Sequence, residues 1–408
     1  MPQPFDVRKC ARPNVIDLPL YTTPRCQYPD NEAMTLLDAN ENPFGPSITK
    51  DDAASGCNGD LGAQTLKMNR YPDLNQTKLK QMFCEFRNDD QCSTQLGAEN
   101  VTLCVGADEA IDVVIRAFCT PGRDKILITP PTYGIYHTFA SINDNKVVQV
   151  HLDADDNFAL RAKDIKTALA QDPCIKVVFL CSPGNPAGNL LPATDITDIL
   201  DLSGWNGIVV VDEAYVDFAP PGTSFAPKVT HWPNLVVIQT LSKAFGLAGI
   251  RLGAIFAQPE ISRVLNNVKN PFNLSASTIA LAKNALQPAG ISLMEGNVKK
   301  MAEQSERLRK GLAEMPAVDR ILGGEHTSFV LVRFLDKPED LGGVPDNSVA
   351  QYLANHMETR SQILVGYRGY EHGCEGCLRI AIGSRNEVDA VLTSIREGLE
   401  ELHALKVA

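Results

Sequence analysis

Short runs of β-branched and other apolar residues alternate with helical stretches from about residue 100 onwards, and this alternation constrains the fold more than any other feature. Several runs are continuously apolar, which is typical of strands covered on both faces of a sheet. The pattern predicts an α/β domain with a mostly parallel sheet. The predicted strands are Val101–Val105, Lys125–Thr129, Lys146–Val150, Val177–Cys181, Ile208–Asp212, Leu235–Thr240 and Leu252–Ala257, and the helices include Asp108–Cys119 and Asp195–Asp201.

The pattern changes after this region, and the change predicts a second, smaller α+β domain. We expect an N-terminal arm over residues 1–35, a large domain over 71–310, and a small domain made of 36–70 and 311–408. The elements predicted here are the helix Ser292–Met315, the strand Ser328–Phe334, the helix Asn347–Thr359, the strand Leu378–Ile382 and the helix Glu387–Ala404.

Composition excludes several functional classes. A chain of 408 residues is long enough for two domains, and its net charge of −11 argues against a nucleic-acid surface. Its apolar runs are shorter than the ~18 residues that indicate a membrane span. The first ten residues lack the apolar core of a secretory signal, and the eleven cysteines are scattered through apolar segments. Such cysteines suit a reducing compartment, so the sequence predicts a cytoplasmic protein.

Cys374 and Cys377 form the one CxxC motif of the chain. A structural zinc site normally needs four ligands, and no second cysteine pair or histidine spacing accompanies this motif. We interpret the two residues as ordinary loop cysteines and predict no metal site. A zinc or redox role is the alternative.

Lys243 lies just past the predicted strand Leu235–Thr240, in a glycine-rich segment with few charges. A solvated loop lysine is the simplest interpretation of such a residue taken alone. The hydroxyl groups of Thr240 and Ser242 and the guanidinium of Arg251 favour a functional role, because these groups bind a phosphate monoester. The lysine amine itself can form an imine with a carbonyl compound.

Asp212 ends the apolar run that begins at Ile208, which places a carboxylate at the carboxyl edge of a buried strand. Ligands of open α/β sheets bind at that edge, although a helix N-cap is an alternative role for such an aspartate. A buried carboxylate is costly unless a cation pairs with it, and a protonated pyridinium nitrogen would supply one. Tyr215, three residues later, is placed to reach a hydroxyl on the same ring.

Three further segments are typical of a cofactor site when taken together, although each has an ordinary structural interpretation alone. Residues 183–188 form a turn with two prolines and two glycines that orients the Asn185 amide. Ala107 and Asp108 begin a predicted helix whose free amides can bind phosphate. Tyr133 follows another strand and can lie over a planar cofactor.

The order of these elements resembles that of the fold-type I pyridoxal-phosphate enzymes of the aspartate aminotransferase superfamily, and the resemblance covers nearly the whole chain. Within that superfamily the chain is most similar to the histidinol-phosphate aminotransferase family. The strings that carry this resemblance are Ala11-Arg-Pro-Asn, Leu18-Pro-Leu-Tyr21, Leu37-Asp-Ala-Asn-Glu-Asn-Pro43, Arg70-Tyr-Pro-Asp73, Pro131-Thr-Tyr-Gly-Ile-Tyr136 and Cys377-Leu-Arg-Ile-Ala-Ile-Gly383.

The resemblance implies a fold-type I transferase that uses pyridoxal 5'-phosphate to move an amino group between L-histidinol phosphate and 2-oxoglutarate. Imidazole-acetol phosphate and glutamate would be the products, in histidine biosynthesis. It implies that Lys243 binds the cofactor as a Schiff base and acts in catalysis with Asp212 and Tyr215. The other implied cofactor-binding residues are Asn185, Tyr133, Ala107, Asp108, Thr240, Ser242, Arg251 and Tyr71, the last from the neighbouring subunit of a homodimer; the implied substrate-binding residues are Tyr21, Asn42, Arg379 and Arg368.

One position departs from the family pattern. The family usually carries a second arginine shortly before the Leu-Arg-Ile string, and Gly366 occupies the aligned position here. Arg368, two residues later, is the predicted replacement. The alternative functions are an aminotransferase for aromatic or other amino acids and a phosphate-substrate decarboxylase of the same fold. A regulator with an aminotransferase-like domain would carry a fused helix-turn-helix, for which the proline-rich arm is too short.

Overall fold

The computed structural model describes residues 35–37, 40–44, 72–88 and 94–407. Residues 1–34 of the predicted N-terminal arm lie outside these ranges, as do Tyr21 and Tyr71, whereas Thr35 belongs to a short strand. The described residues form two principal sheets with helices packed against them, together with one short two-stranded pairing.

The larger sheet has seven strands and is mostly parallel, which confirms the predicted fold class. Its spatial order is β2-β8-β7-β6-β5-β3-β4. The four pairings from β4 to β7 are parallel, whereas β8 runs antiparallel to both of its neighbours. The strands are β2 (Val101–Cys104), β3 (Lys125–Ile128), β4 (Lys146–Gln149), β5 (Ile175–Cys181), β6 (Ile208–Asp212), β7 (Leu235–Thr240) and β8 (Gly253–Ala257).

Helices cover both faces of this sheet because its central strands are apolar on both sides. In β5, Val178 and Leu180 face one core, and Val177 and Phe179 face the other. The helices in this part of the chain are α1 (Thr77–Arg87), α2 (Gly106–Phe118), α3 (Ile135–Ile142), α4 (Ala162–Gln171), α5 (Ala193–Leu200), α6 (Pro259–Val268), α7 (Ala276–Ala285) and α8 (Pro288–Ala313). The first core is closed by α4 and α5, and the second by α2 and α3.

The smaller sheet is antiparallel and has the order β12-β13-β10-β9. Helix α8 packs against this unit through α10, and the short strand β1 pairs with β11 in parallel. The elements are β1 (Thr35–Leu36), β9 (Val318–Leu322), β10 (Phe329–Phe334), β11 (Ile363–Leu364), β12 (Gly366–Tyr367), β13 (Cys377–Ala381), α9 (Asn347–Ser361) and α10 (Arg385–Val407). The domain boundaries given above stay predictions.

Four observed helices begin earlier than the sequence pattern predicts; α5 and α10 do so by two residues, at Ala193 and Arg385. Helix α2 begins at Gly106 instead of Asp108, because the chain turns directly from β2 into the helix at a glycine with φ +73°. Helix α8 begins at Pro288, a residue that suits the first helical turn. Short 3-10 helices lie at Ala98–Asn100, Val216–Phe218, Ala226–Thr230, Ala248–Ile250 and Glu339–Leu341.

A close approach between two backbones fixes the start of α2 against β8. A Cβ atom at Gly253 would lie 2.6 Å from the carbonyl carbon and oxygen of Gly106, so only glycine fits without a backbone shift. We expect Gly253→Ala to destabilise the protein by about 1–3 kcal/mol, as overpacking does. Thermal unfolding measures this, with Gly296→Ala in α8 as the control, because nothing lies within 4 Å of a Cβ at Gly296. Equal unfolding midpoints for the two variants would contradict the expectation.

Candidate active site

The candidate site is a cavity of about 810 Å³ at the carboxyl ends of the central strands of the larger sheet, closed on one side by the chain around β12 and β13. Open α/β sheets bind ligands at this edge. The predicted site residues that line it are Ala107, Asp108, Tyr133, Asn185, Asp212, Tyr215, Thr240, Ser242, Lys243, Arg251, Arg368 and Arg379.

Lys243 follows β7 directly and lines this cavity. Its ammonium nitrogen lies 5.8 Å from the centroid of the Tyr215 ring. Burial, together with the positive charge of Arg379, lowers the pKa of Lys243 to about 8. About a tenth of the amine is therefore neutral at pH 7, and the neutral form can act as a nucleophile or a base.

Asp212 ends β6 and accepts two hydrogen bonds. The hydroxyl of Tyr136 donates to its Oδ2 atom at 2.7 Å, and the amide of Ala214 donates to its Oδ1 atom at 3.1 Å. Burial raises the pKa of Asp212 to about 6, while both hydrogen bonds lower it. The carboxylate is thus mostly ionised near neutral pH, and it keeps further acceptor positions for a cationic donor.

Tyr136 is a functional residue that the sequence interpretation missed. Its side chain is fully buried and stacks on Phe179, with the ring centroids 4.7 Å apart and the planes at 15°. Tyr136 is part of a string quoted for the family resemblance, but its role depends on the packing of α3 against β5 and β6. The one signal in the sequence is its spacing of three residues from Tyr133, which places both on one side of a helical turn.

Asn185 and Tyr215 are held by residues from other parts of the chain. The guanidinium of Arg379 donates to the Oδ1 atom of Asn185 at 2.6 Å, and Arg379 is only 5% exposed. The amide of Asn40 donates to the Tyr215 hydroxyl at 2.9 Å. The structure thus joins the turn after β5, the strand β13 and the segment 40–44 around one end of the cavity.

The predicted phosphate-binding residues lie around the start of α2. Arg251 forms an ion pair with Asp108 at 2.9 Å, and the Tyr133 hydroxyl donates to the same carboxylate at 3.1 Å. Gly106 has φ +73°, a backbone conformation that favours glycine, and a Cβ atom there would lie 2.8 Å from the end of the Arg251 side chain. The start of the helix therefore brings backbone amides and a guanidinium together, which suits an anion.

The two predicted hydroxyl residues differ in their surroundings. The Thr240 hydroxyl donates to the Leu252 carbonyl at 2.8 Å and lies 2.8 Å from the Ser242 hydroxyl. Thr240 also accepts a hydrogen bond from the Ser242 amide at 3.2 Å. Because the Thr240 proton is donated to a carbonyl, Ser242 is the donor of the bond between the two hydroxyls, and its hydroxyl must turn away from Thr240 to donate to a ligand.

The predicted substrate residues separate into three groups. Arg379 and Arg368 line the cavity. Asn42 does not line it; its amide donates to the Ala244 carbonyl at 2.9 Å and fastens its segment beside Lys243, while its neighbours Asn40 and Glu41 reach the cavity. Tyr21 lies outside the described residues, as does the predicted cofactor-binding residue Tyr71.

The structure shows the state of the two cysteines of the CxxC motif and the character of the described helices. Cys374 and Cys377 are both free thiols with fully buried side chains. Within the described ranges, no group of three or more histidine, cysteine or acidic residues is arranged to bind a metal ion. In the same part of the chain, none of the helices combines the length and the apolar character needed to cross a membrane.

Comparisons with known proteins cover nearly the whole chain. Residues 32–395 match the family model for aminotransferase class I and II. The chain is 42% identical to the histidinol-phosphate aminotransferase of Schizosaccharomyces pombe, over 98% of this chain and 100% of that protein. It is 40% identical to the Saccharomyces cerevisiae enzyme of the same name, over 98% and 99% of the two chains.

Solved structures show the same fold. The histidinol-phosphate aminotransferase of Sinorhizobium meliloti, crystallised in complex with pyridoxal-5'-phosphate, superposes with a TM-score of 0.79 at 22% identity. That match covers 96% of this chain and 98% of the other. The enzyme of the same name from Clostridium acetobutylicum gives a TM-score of 0.74 at 23% identity, over 89% and 98% of the two chains.

Removing the Tyr136 hydroxyl is expected to raise the pKa of Asp212, because the hydrogen bond from Tyr136 stabilises the carboxylate. One such bond is worth about 1 kcal/mol, or roughly one pKa unit. In Tyr136→Phe, the acidic limb of the activity–pH profile should move to higher pH by up to that amount. The control is Tyr352→Phe, which removes a tyrosine–carboxylate bond of 3.2 Å to Glu401 at the surface. Superimposable acidic limbs for the Tyr136 variant and the unsubstituted enzyme would contradict the role of Tyr136.

Proposed function

Since the chain belongs to the class I and II aminotransferase family and, within it, to the histidinol-phosphate aminotransferases, we propose that it moves an amino group between L-histidinol phosphate and 2-oxoglutarate. The products are imidazole-acetol phosphate and glutamate, in histidine biosynthesis. The observation that carries the proposal is the meeting of Lys243, Asp212 and Arg379 in one cavity.

The residues present fit pyridoxal 5'-phosphate, the cofactor of this family. When bound, the cofactor supplies a reactive aldehyde and a pyridinium ring that withdraws electrons. The buried carboxylate of Asp212 suits the protonated ring nitrogen, and Tyr133 suits the ring face. The remaining ligands are proposed as Asn185 and Tyr215 for the ring hydroxyl, and Ala107, Asp108 (through their backbone amides), Ser242, Thr240 and Arg251 for the phosphate.

Lys243 is proposed to bind the cofactor covalently and to move the proton during the reaction. Its partly neutral amine can accept a proton from the substrate carbon that carries the amino group, and can return it to a neighbouring position. The ring centroid of Tyr215 lies 5.8 Å from this amine. Tyr215 is buried and Lys243 is half-buried, which limits exchange of the transferred proton with solvent.

Asp212 is the proposed partner of the protonated ring nitrogen of the cofactor. A carboxylate that is ionised near neutral pH stabilises a protonated nitrogen, whereas a neutral amide would not. Tyr136 keeps Asp212 ionised and fixes its orientation through the 2.7 Å hydrogen bond. This pair is the reason that we place the ring nitrogen at the end of β6.

Arg379 is the proposed anchor for the charged end of each substrate. Histidinol phosphate lacks the α-carboxylate of ordinary amino acids, so its phosphate must supply the contact, while 2-oxoglutarate presents carboxylates. A planar guanidinium binds phosphate and carboxylate equally well in a bidentate manner. Asn185 accepts from Arg379 and holds the guanidinium towards the cavity. Arg368 is the proposed second contact.

Further features of the enzyme are proposed from the resemblance alone. Tyr71 is expected to reach the phosphate of the neighbouring subunit's cofactor, which makes a homodimer the active unit. Tyr21 is proposed to contact the substrate. Asn42 is proposed to position the segment that carries Asn40 and Glu41 beside the substrate, through its hydrogen bond to Ala244. The cytoplasm is the expected location.

The function is tested by replacing the proposed covalent lysine. The unsubstituted enzyme should form glutamate from 2-oxoglutarate when L-histidinol phosphate is the donor, and Lys243→Ala should form none, because no other group replaces the amine. Reduction with borohydride followed by mass spectrometry should place the cofactor on Lys243. The control is Lys299→Ala, which removes an exposed lysine of α8. Retained turnover in Lys243→Ala, or cofactor on another lysine, would overturn the proposal.

A further inference from the structure

The strand pairing around Arg379 places a glycine beside it. In the antiparallel pair β12–β13, Gly366 is the direct partner of Arg379. Directly paired residues project from the same face of a sheet. The side chain of Arg379 lines the cavity, so any side chain at position 366 would project to the same side. The glycine therefore leaves space next to Arg379 on the cavity side of the sheet.

Arg368 occupies that space. It lies two residues after Gly366, so it projects from the same face, and its amide continues the ladder by donating to the Cys377 carbonyl at 3.0 Å. Its guanidinium Nη2 atom lies 3.3 Å from the position that a Cβ at Gly366 would take. The Nη1 atom donates to the Tyr370 hydroxyl at 3.0 Å. Two guanidinium groups, those of Arg368 and Arg379, thus face one end of the cavity.

A carboxylate accompanies these two arginines. The Oε1 atom of Glu371 lies 3.5 Å from the Nε atom of Arg368, and the two side chains are 18% and 19% exposed. Glu371 also lines the cavity. The other titratable groups near it are Arg379 on β13, the Cys374 thiol, and Tyr370 and His372 on its own loop. His372 packs against His151, which lies two residues after β4, with ring centroids 4.3 Å apart.

The protonation of Glu371 is balanced near neutral pH. Burial raises its pKa to about 7, while the charges of Arg368 and Arg379 lower it. A small change in local charge is therefore enough to change its protonation state. An arriving anion partly neutralises the arginines and repels the carboxylate, and both effects favour the protonated form.

The proposed function requires one site to accept two ligands that differ in charge. A phosphate monoester carries about −1.5 to −2 at neutral pH, whereas the carboxylate of 2-oxoglutarate that would replace it carries a single negative charge. With Glu371 ionised, the two arginines and the glutamate sum to a single positive charge. With Glu371 protonated, they sum to two positive charges. Each state of the cluster matches one of the two ligands.

We propose that Glu371 adjusts the charge of this site, taking up a proton from solvent when a phosphate dianion binds to Arg368 and Arg379 and remaining ionised when a carboxylate binds there. Glu371 is thus a specificity-determining residue that lets one arginine pair serve both half-reactions. This inference rests on the proposed function, because it assumes that phosphate and carboxylate ligands share the site.

Sulfate and acetate test this directly, since sulfate keeps two negative charges and acetate one over about pH 6.5 to 8.5. Each anion is titrated into the holoenzyme by calorimetry in two buffers of different ionisation enthalpy, which gives the protons taken up. Visible absorbance of the same solutions reports any protonation at the cofactor linked to Lys243, and this is subtracted. Near pH 7.5 the enzyme should take up roughly half a proton more when it binds sulfate than when it binds acetate.

The variant that isolates the effect is Glu371→Gln, which keeps the shape of the side chain and removes its titration. In this variant the extra uptake with sulfate should vanish. Sulfate affinity near pH 7.5 should rise by up to about four-fold, and by more than acetate affinity, because sulfate binding no longer has to be accompanied by protonation of Glu371. The control is Glu375→Gln, an exposed residue of the same loop. Arg368→Gln should weaken sulfate binding about ten- to one-hundred-fold.

Equal proton uptake with the two anions, or the same uptake in Glu371→Gln as in the unsubstituted enzyme, would overturn the inference. These measurements need no amino transfer. An enzyme that fails to convert histidinol phosphate but shows the expected uptake would therefore contradict the proposed function and leave the behaviour of Glu371 standing. An enzyme that converts histidinol phosphate but shows no difference in proton uptake would support the proposed function and contradict the role of Glu371.

Discussion

Asp212 ends β6 and Lys243 follows the neighbouring parallel strand β7, so the sheet delivers a carboxylate and an amine to the same edge. Burial acts on both groups and disfavours the charged form of each. It lowers the pKa of the lysine to about 8 and raises that of the aspartate to about 6. Near neutral pH the amine is partly neutral and the carboxylate is mostly ionised. The chemistry at the cavity depends on this pair. The pair in turn depends on the apolar strands, because their burial of the two groups shifts both pKa values.

Other residues of the cavity set the protonation states of Asp212 and Lys243. Tyr136 donates to Asp212 from a helix packed against the sheet and stabilises its ionised form. Arg379 contributes a positive charge that lowers the pKa of Lys243, and Asn185 accepts from the same guanidinium. The residues proposed to bind the charged ends of substrates are thus coupled to the residue proposed to move protons. An anion bound at Arg379 would offset its charge and raise the pKa of Lys243, which links substrate binding to the state of the catalytic amine.

The fold could be predicted from the sequence because its strands are short, continuously apolar and separated by amphipathic helices. The bounds of β6 and β7 agree with the prediction at both ends. Several site residues could be placed for the same reason, since Asp212 and Lys243 follow predicted strands. Tyr136 and Glu371 could not be found in this way, because their roles depend on packing between α3 and the sheet and on a loop folding back over Gly366. The hydroxyl of Thr240 could not be told from that of Ser242 for a similar reason: only the geometry shows that it donates to the Leu252 carbonyl. The roles of Tyr21 and Tyr71 stay predictions.

The central claim is that this cavity accepts an amino donor through its phosphate, and one measurement tests it most directly. The purified holoenzyme is mixed, without an amino acceptor, with L-histidinol phosphate, L-histidinol, L-phenylalanine or L-glutamate, and the loss of the visible cofactor absorbance is followed in single turnovers. The account predicts that histidinol phosphate reacts with a specificity constant at least about ten- to one-hundred-fold above that of histidinol, the value of a lost charge-assisted contact. Glutamate should react by the same route. Equal constants for histidinol phosphate and histidinol, or a wide preference for phenylalanine, would contradict it.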